Sequence, residues 1–322
     1  MKLYGKVVMM LGMIFLGFSV AAQSVEAVGQ KYNEAIELYK AKDYAHAIPA
    51  LKQTVEMGNK AGDEAADMTS SAQTALMKAY KNYGVTLYKK KKYDDAVAVL
   101  EEGAAFAKKV GDTKSAKKFE SIIPQIYSGH GNSLIKSKDY KGAMVQFDNA
   151  LAKNPKCIRA FLGKENVSKD QGDYTKMMEY ADQAIALGAS NSKLAKRAAK
   201  AKKMAYLGLY KAGGEQLGKG NSAKAITYFN DALKYGAGDA DLYLNMALAY
   251  NASKNFSKGI EAANKALSLK GEGDKNGIYF VLAQAYEGNG DSANACTNYK
   301  KVTAGPNVDA AKYQMEQVLK CN

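Results

Sequence analysis

One short phrase recurs seven times along this chain of 322 residues, and such a recurrence restricts the fold more than any single residue does. It reads KDYAHAI from Lys42, KKYDDAV from Lys91, KDYKGAM from Lys138, GDYTKMM from Gly172, GNSAKAI from Gly220, KNFSKGI from Lys254 and GDSANAC from Gly290. Lys or Gly opens it, and Asp or Asn follows at Asp43, Asp139, Asp173, Asn221, Asn255 and Asp291; Lys92 breaks the series. Asp and Asn side chains accept hydrogen bonds from the free N–H groups of a first helical turn, so each phrase predicts a helix start. Ahead of each phrase, apolar residues are spaced by threes and fours, as in Tyr80, Tyr83, Gly84, Leu87 and Tyr88, which predicts a helix with one buried stripe. Each unit should be a helix, a tight turn and a second helix. Only 4 prolines interrupt the chain, in keeping with a helical fold.

This pattern resembles the tetratricopeptide repeat, a helix pair of about 34 residues. That family has a large residue early in the unit and small residues at the eighth, twentieth and twenty-seventh places. An aromatic or Leu stands at the eleventh, and Pro is frequent near the end. Tyr127, Gly131, Leu134, Ala143, Phe147, Ala150 and Pro155 match in order. Partial sets recur as Tyr80, Gly84, Leu87, Ala96 and Leu100; as Ala225, Phe229 and Ala232; as Tyr243, Ala247, Tyr250 and Ala266; and as Tyr279, Ala283, Tyr286, Ala295 and Tyr299. The resemblance implies an all-α fold over 23–322, a right-handed superhelical solenoid of about seven helix pairs. The units would lie near 28–61, 77–110, 124–157, 158–191, 206–239, 240–273 and 276–306, with a C-terminal capping helix over 307–320.

The chain departs from the pattern in places. Glu165 and Met177 stand where the fourth unit should have small residues, and Pro49 lies inside a second helix, where a kink is expected. From Ala47 through Ala96, Ala143, Met177, Ala225 and Gly259 to Ala295, three intervals are a dozen or more residues longer than the others. The extra segments, 58–76, 108–123 and 188–205, are expected to extend helices at one end. Pro124 suits a first helical position, which predicts a separate short helix over Thr113–Ile123.

The amino terminus carries Lys2 and Lys6, then an apolar run from Val7 to Val20, then Ala21 and Ala22. That order of charge, short apolar core and small residues reads as a Sec-type signal peptide over 1–22, cleaved before Gln23. The expected location is the periplasm, the outer membrane or the exterior of a Gram-negative cell, with no transmembrane segment after cleavage. Net charge is +14, which suits an acidic partner, but export argues against nucleic acid. Three cysteines, Cys157, Cys296 and Cys321, leave at least one unpaired within the chain; Cys296 and Cys321 could form a disulfide that clips the C-terminus. The alternative is small apolar residues in helix interfaces.

Little in the sequence points to catalysis. His46 and His130 lack neighbouring ligands at metal spacing, so no metal site is expected. No GxxxxGK[ST] loop or GxSxG elbow occurs, and no cofactor is expected. The runs GAGDAD from Gly236 and GEGDKNG from Gly271 lack the full ligand series of a calcium loop and read as turns. A sharper feature is the basic stripe of Lys193, Lys196, Arg197, Lys200 and Lys203, opposite Leu194, Ala198, Ala201 and Ala205. It could meet an anionic glycan, lipid head groups or an acidic protein, or simply be a solvated face.

In the tetratricopeptide family, the first helices of successive repeats line a concave groove that holds a peptide or partner helix. Carried over by position, the groove would include Tyr32, Tyr39, Lys81, Tyr88, Asn132, Arg159, Tyr210, Asn251 and Phe280. The family's carboxylate clamp is not reproduced. The resulting expectation is a non-enzymatic exported scaffold that binds a protein or peptide partner in the cell envelope. The alternative is a module for envelope polysaccharide or another anionic polymer, using the Tyr- and Lys-rich surface.

Overall fold

A computed structural model describes residues 24–321, so the expected signal peptide over 1–22 lies outside the described residues. The described chain contains helices and turns and no strand. It divides into two compact units, one ending at Ala160 and the other starting at Phe161. The boundary falls inside helix α7 (Ile158–Asp170).

The first unit holds α1 (residues 24–40), α2 (Tyr44–Ala61), α3 (Ala66–Lys89), α4 (Tyr93–Lys109), α5 (Thr113–Lys136) and α6 (Tyr140–Lys153). The second holds α8 (Tyr174–Ser190), α9 (Ala195–Gly218), α10 (Ser222–Leu233), α11 (Ala240–Ala252), α12 (Phe256–Leu269), α13 (Asn276–Gly288), α14 (Ser292–Tyr299) and α15 (Val308–Tyr313). Successive helices pack on one another within each unit, and first helices also lie beside first helices: α3 touches α5, α9 touches α11, and α11 touches α13. That contact pattern is a stack of helix pairs.

The recurring phrase proves to be two caps fused together. Its first residue has positive φ every time: 62° at Lys42, 60° at Lys91, 62° at Lys138, 75° at Gly172, 79° at Gly220, 59° at Lys254 and 82° at Gly290. The next residue's N–H returns to a carbonyl five residues back, as from Asp43 to Leu38 and from Asp139 to Leu134, which closes the preceding helix. That same residue then begins the following helix. Asp43, Asp139, Asp173 and Asp291 accept from the N–H three residues on, at His46, Gly142, Lys176 and Asn294. Asn221 and Asn255 hold the cap position without a side-chain capping bond. An eighth such turn, Gly111 at φ 76° with Asp112 bonded to Ser115 N–H, joins α4 to α5.

The longer intervals are three extended hairpins, α2 with α3, α4 with α5, and α8 with α9, in which α3, α5 and α9 are each 24 residues long. The separate helix expected over Thr113–Ile123 does not form. α5 runs through Pro124, whose carbonyl accepts from Ser128 Oγ at 2.8 Å, because packing along α4 outweighs one lost backbone bond. α2 is likewise unbroken at Pro49.

Small residues mark where paired helices cross. A Cβ on Gly84 would stand 2.7 Å from Leu100, on Gly131 2.6 Å from Phe147, and on Gly213 2.5 Å from Phe229. Leu51, Leu76, Tyr80 and Leu100 are fully buried in the first unit, and Leu209, Phe229 and Leu242 in the second. Burial lifts the Tyr80 hydroxyl to about 12. At the end of the second unit, Tyr299 is buried with Ala283, Ala295 and Ala311, and α15 passes into a π turn over Gln314–Val318. A disulfide joins Cys296 to Cys321 there, with Cα atoms 5.7 Å apart. Cys157 is a free, buried thiol 3.5 Å from Ser128 Oγ.

Candidate functional site

The first-helix face of the first unit is formed by α1, α3 and α5 side by side. Between α1 and α3 lies a cleft of about 420 Å³ lined by Tyr32, Ile36, Tyr39, Lys40, Thr74 and Lys78, among others. Between α3 and α5 a second cleft, of about 360 Å³, is lined by Thr74, Met77, Lys78, Lys81, Asp112, Lys118 and Phe119. Thr74 and Lys78 belong to both, so the two clefts meet along the ridge of α3. Asn82 Nδ2 donates to the Tyr39 hydroxyl at 3.0 Å and ties α1 to α3. The Tyr39 ring meets Tyr44 edge-on at 5.7 Å.

Of the groove residues expected from sequence, Tyr32, Tyr39 and Lys81 line these clefts. Tyr88 packs edge-on against Tyr93 at 5.7 Å and lies over Gly129. Asn132 and Arg159 are exposed. In the second unit, Tyr210 stacks with Tyr206 at 6.4 Å and accepts from Asn245 Nδ2 at 3.1 Å, the same kind of tie as Tyr39 with Asn82. Asn251 is engaged within the stack, donating to Val281 O at 3.0 Å and facing Gly259. Phe280 lies edge-on against Tyr299 at 5.7 Å. Lys40, Lys78 and Lys118 lie outside the set expected from sequence. Their signal is a spacing of three and four along the outward stripe of α3 and its neighbours, which a search keyed to aromatic residues passes over.

The two faces of the first unit differ in how their charges are handled. On the second-helix side, Lys52 pairs with Glu102, Lys153 with Glu101 at 2.9 Å, and Lys108 with Glu120 at 2.6 Å. On the first-helix side, no ion pair among the described residues involves Lys40, Lys78, Lys81 or Lys118. The carboxylate in the lining, Asp112, accepts the Ser115 N–H at 2.9 Å, and its hydrogen bonds with Ser115 lower its pKa.

In the basic stripe, Lys193, Lys196, Lys200 and Lys203 are exposed and Arg197 is partly so, while Ala198, Ala201 and Ala205 are buried. Lys200 also lies close enough to buried Glu165 to influence its ionisation. His46 Nδ1 is 2.8 Å from Asp43 Oδ2, at a helix start. His130 stacks on Tyr93 with ring centres 4.3 Å apart. Among the described residues no group of three or more His, Cys, Asp and Glu could hold a metal ion, and no helix is long and apolar enough to cross a membrane. The Gly-rich runs are turns: Asp239 caps α11 by accepting Leu242 N–H, and Asp274 accepts Asn276 N–H.

Comparison with known proteins gives matches to the family described as tetratricopeptide repeat at residues 210–275 and 277–304. No curated protein matches the chain. Among solved structures, a crystal structure of MamA is 21% identical, covers 62% of this chain and 97% of its own, and superposes with a TM-score of 0.36. A thermophilic TPR protein of Thermus thermophilus is 22% identical over 61% of this chain and 99% of its own, with a TM-score of 0.27. The TPR2AB domain of yeast Sti1, solved in a complex with pHSP90, is 18% identical over 90% of this chain and 95% of its own, with a TM-score of 0.32. The matched repeats coincide with the fused-cap turns at Gly220, Lys254 and Gly290. Residues 210–304 of the chain are thus assigned to tetratricopeptide repeats.

Proposed function

We propose that this protein is a non-enzymatic scaffold of the cell envelope that holds a protein partner on its first-helix faces. A tetratricopeptide repeat fold suggests a protein–protein interaction scaffold in general. The observation that carries the reading is the pair of joined clefts across α1, α3 and α5, where tyrosines and lysines remain accessible while the small and aromatic residues of the repeat are buried in packing. Rigid tyrosines suit an interface, because they bury much area for little ordering cost, and the lysines beside them supply charge for recognition. The envelope location rests on the charge, apolar run and small residues of positions 1–22.

Capture from envelope extract with the immobilised protein tests the reading. One protein should be recovered in near-equal amount, retained in moderate salt, and lost when Tyr32→Ala is combined with Lys81→Ala. Recovery that ignores both substitutions would remove the first-helix face from the function. Amino-terminal sequencing of the protein from cell fractions should begin at Gln23; a retained Met1 in the cytoplasm would overturn the location. The basic stripe along α9 and the turn that precedes it is the one observation favouring an anionic-polymer role. Reversing Lys193, Arg197 and Lys200 to Glu should abolish glycan binding if that second reading holds.

A further inference from the structure

On the second-helix side of the second unit, a cleft of about 670 Å³ lies between α10 and α12, with α11 as its floor. Tyr243, Met246 and Tyr250 line it at spacings of three and four, a stripe of α11 about 10 Å long. Met246 and Tyr250 are buried and Tyr243 is half-buried, so the floor is apolar and aromatic. The walls are polar and exposed: Asn230 on α10, and Lys258, Glu261, Asn264 and Lys265 on one face of α12. Lys258 Nζ stands 5.8 Å from the Tyr250 ring centre, which puts a cation at that end of the floor. Other second helices are tied to one another. Lys153 of α6 reaches Glu101 of α4 at 2.9 Å across a cleft of about 410 Å³, and Lys108 pairs with Glu120 in the same lining. Tyr235, just past α10, donates to Asp182 of α8 at 2.9 Å. Between α10 and α12 no hydrogen bond or ion pair among the described residues crosses, and the side chains of Asn230, Glu261, Asn264 and Lys265 engage in none.

An aromatic floor under a polar rim, in a volume within the roughly 300–1,000 Å³ of small-molecule sites, suits a compact ligand with both kinds of surface. The signs on the rim narrow the class. Glu261 stands between Lys258 and Lys265 on α12, which disfavours a polyanion and a polycation alike. Two amides that both donate and accept, two ammonium donors and one carboxylate acceptor remain for hydrogen bonding. Sugar hydroxyls likewise donate and accept, and the C–H face of a sugar ring is apolar and lies flat on a tyrosine ring. A wholly apolar ligand would instead cover these polar groups without pairing them. We propose that the cleft between α10 and α12 binds a short neutral oligosaccharide, its ring faces on Tyr243 and Met246 and its hydroxyls bonded by Asn230, Glu261, Asn264 and Lys265. The site lies on second helices rather than first, so it stands independently of the scaffold reading, and it shares no residue with the basic stripe.

Saturation-transfer NMR titration of the full chain tests it. The neutral probes are cellobiose, maltose, lactose and N,N′-diacetylchitobiose, and digalacturonate is the anionic one. At least one neutral disaccharide should bind with a Kd of about 1 mM or tighter. Its affinity should change less than twofold between about 0.05 and 0.3 M salt, because an uncharged ligand has no ion pair for salt to screen. Glu261→Ala with Asn264→Ala, both exposed positions where the fold tolerates change, should weaken it at least fivefold. Tyr243→Leu, which keeps apolar bulk but removes the ring, should weaken it several-fold. Lys196→Glu with Lys200→Glu, outside the cleft, should change it less than twofold. Absence of binding by all four neutral probes at millimolar concentration, or binding that ignores the Glu261 and Asn264 changes, would overturn the proposal. Binding of digalacturonate alone, lost at the higher salt, would assign sugar recognition to exposed lysines and overturn the neutral class. An envelope protein captured by the parent but not by the Glu261→Ala, Asn264→Ala variant would make the cleft a protein interface and overturn the sugar class.

Discussion

At Gly131 the space for a side chain is already taken by the Phe147 ring, 2.6 Å from where a Cβ would stand. Gly131→Val should therefore destabilise the first unit by about 1–3 kcal/mol, because the ring must leave its place or the helices must part. Urea denaturation of variant and parent checks it; equal midpoints would show that the helix crossing is looser than its geometry. Glu165 occupies the corresponding place in its own repeat and is fully buried, with neither carboxylate oxygen accepting a hydrogen bond. Burial lifts its pKa from 4.5 to about 9, and Lys169 and Lys200 offset only part of that. The folded protein thus keeps the group protonated at pH 7, while the unfolded chain ionises it. Its contribution is fully favourable below about pH 4.5 and is lost progressively as pH rises toward about 9. Glu165→Gln removes this dependence and should stabilise the second unit at pH 8 by on the order of 4–5 kcal/mol relative to its effect at pH 4. Denaturation at both pH values decides; a variant with the same effect at each would show that Glu165 ionises in place.

Helix ends are where the sequence phrase acts. Each turn places one residue at positive φ and hands its neighbour both the last bond of one helix and the first of the next. Gly serves that position without strain, and the strain at Lys42, Lys91, Lys138 and Lys254 is offset by the capping bonds around them. Asp139→Ala should cost about 1 kcal/mol, since the Gly142 N–H loses its acceptor. A thermal midpoint that does not move would reduce the recurring Asp to a solvated residue. At the other end of the chain, the disulfide closes a separation of 25 residues and anchors the π turn that follows α15. Reduction, or Cys321→Ser, should cost about 3 kcal/mol on the chain-entropy account and should free α15 first. Protease digestion after reduction reports it: cleavage between 304 and 320 should appear before any cut in α9 to α12. The phrase was legible as a helix start because Asp and Asn carry that meaning anywhere. Its second role, ending the previous helix, needed φ values that Lys does not announce.

Across the molecule, stability should be local, because contacts run between successive helices and between neighbouring first helices within each unit. Gly131→Val should therefore increase hydrogen exchange in α5 and α6 well before it does in α11 to α14; a uniform rise along the chain would mark a single cooperative block. The three long hairpins show how little of this scale could be read in advance. Extra helix-forming residues at 58–76, 108–123 and 188–205 announced longer helices, but Pro124 argued for a break that does not occur. A proline costs one backbone bond at a single position, whereas packing against α4 acts along much of the 24-residue α5. The candidate site was only partly legible for a related reason. Tyr32, Tyr39 and Lys81 follow from repeat position, while Asn251 occupies an equivalent place and is tied to Val281 O.

Residues a few places apart were enough to dictate the helix pairs, their turns and their tight crossings, because capping and small-residue packing act over that range. The excess of positive charge was equally plain from the chain, but not where it would remain unpaired. That waited on the packed helices, in which Lys52, Lys108 and Lys153 meet glutamates of neighbouring helices while Lys40, Lys78, Lys81 and Lys118 meet none among the described residues. Ion pairing between helices depends on which faces are brought together, and that is fixed only when the helices pack.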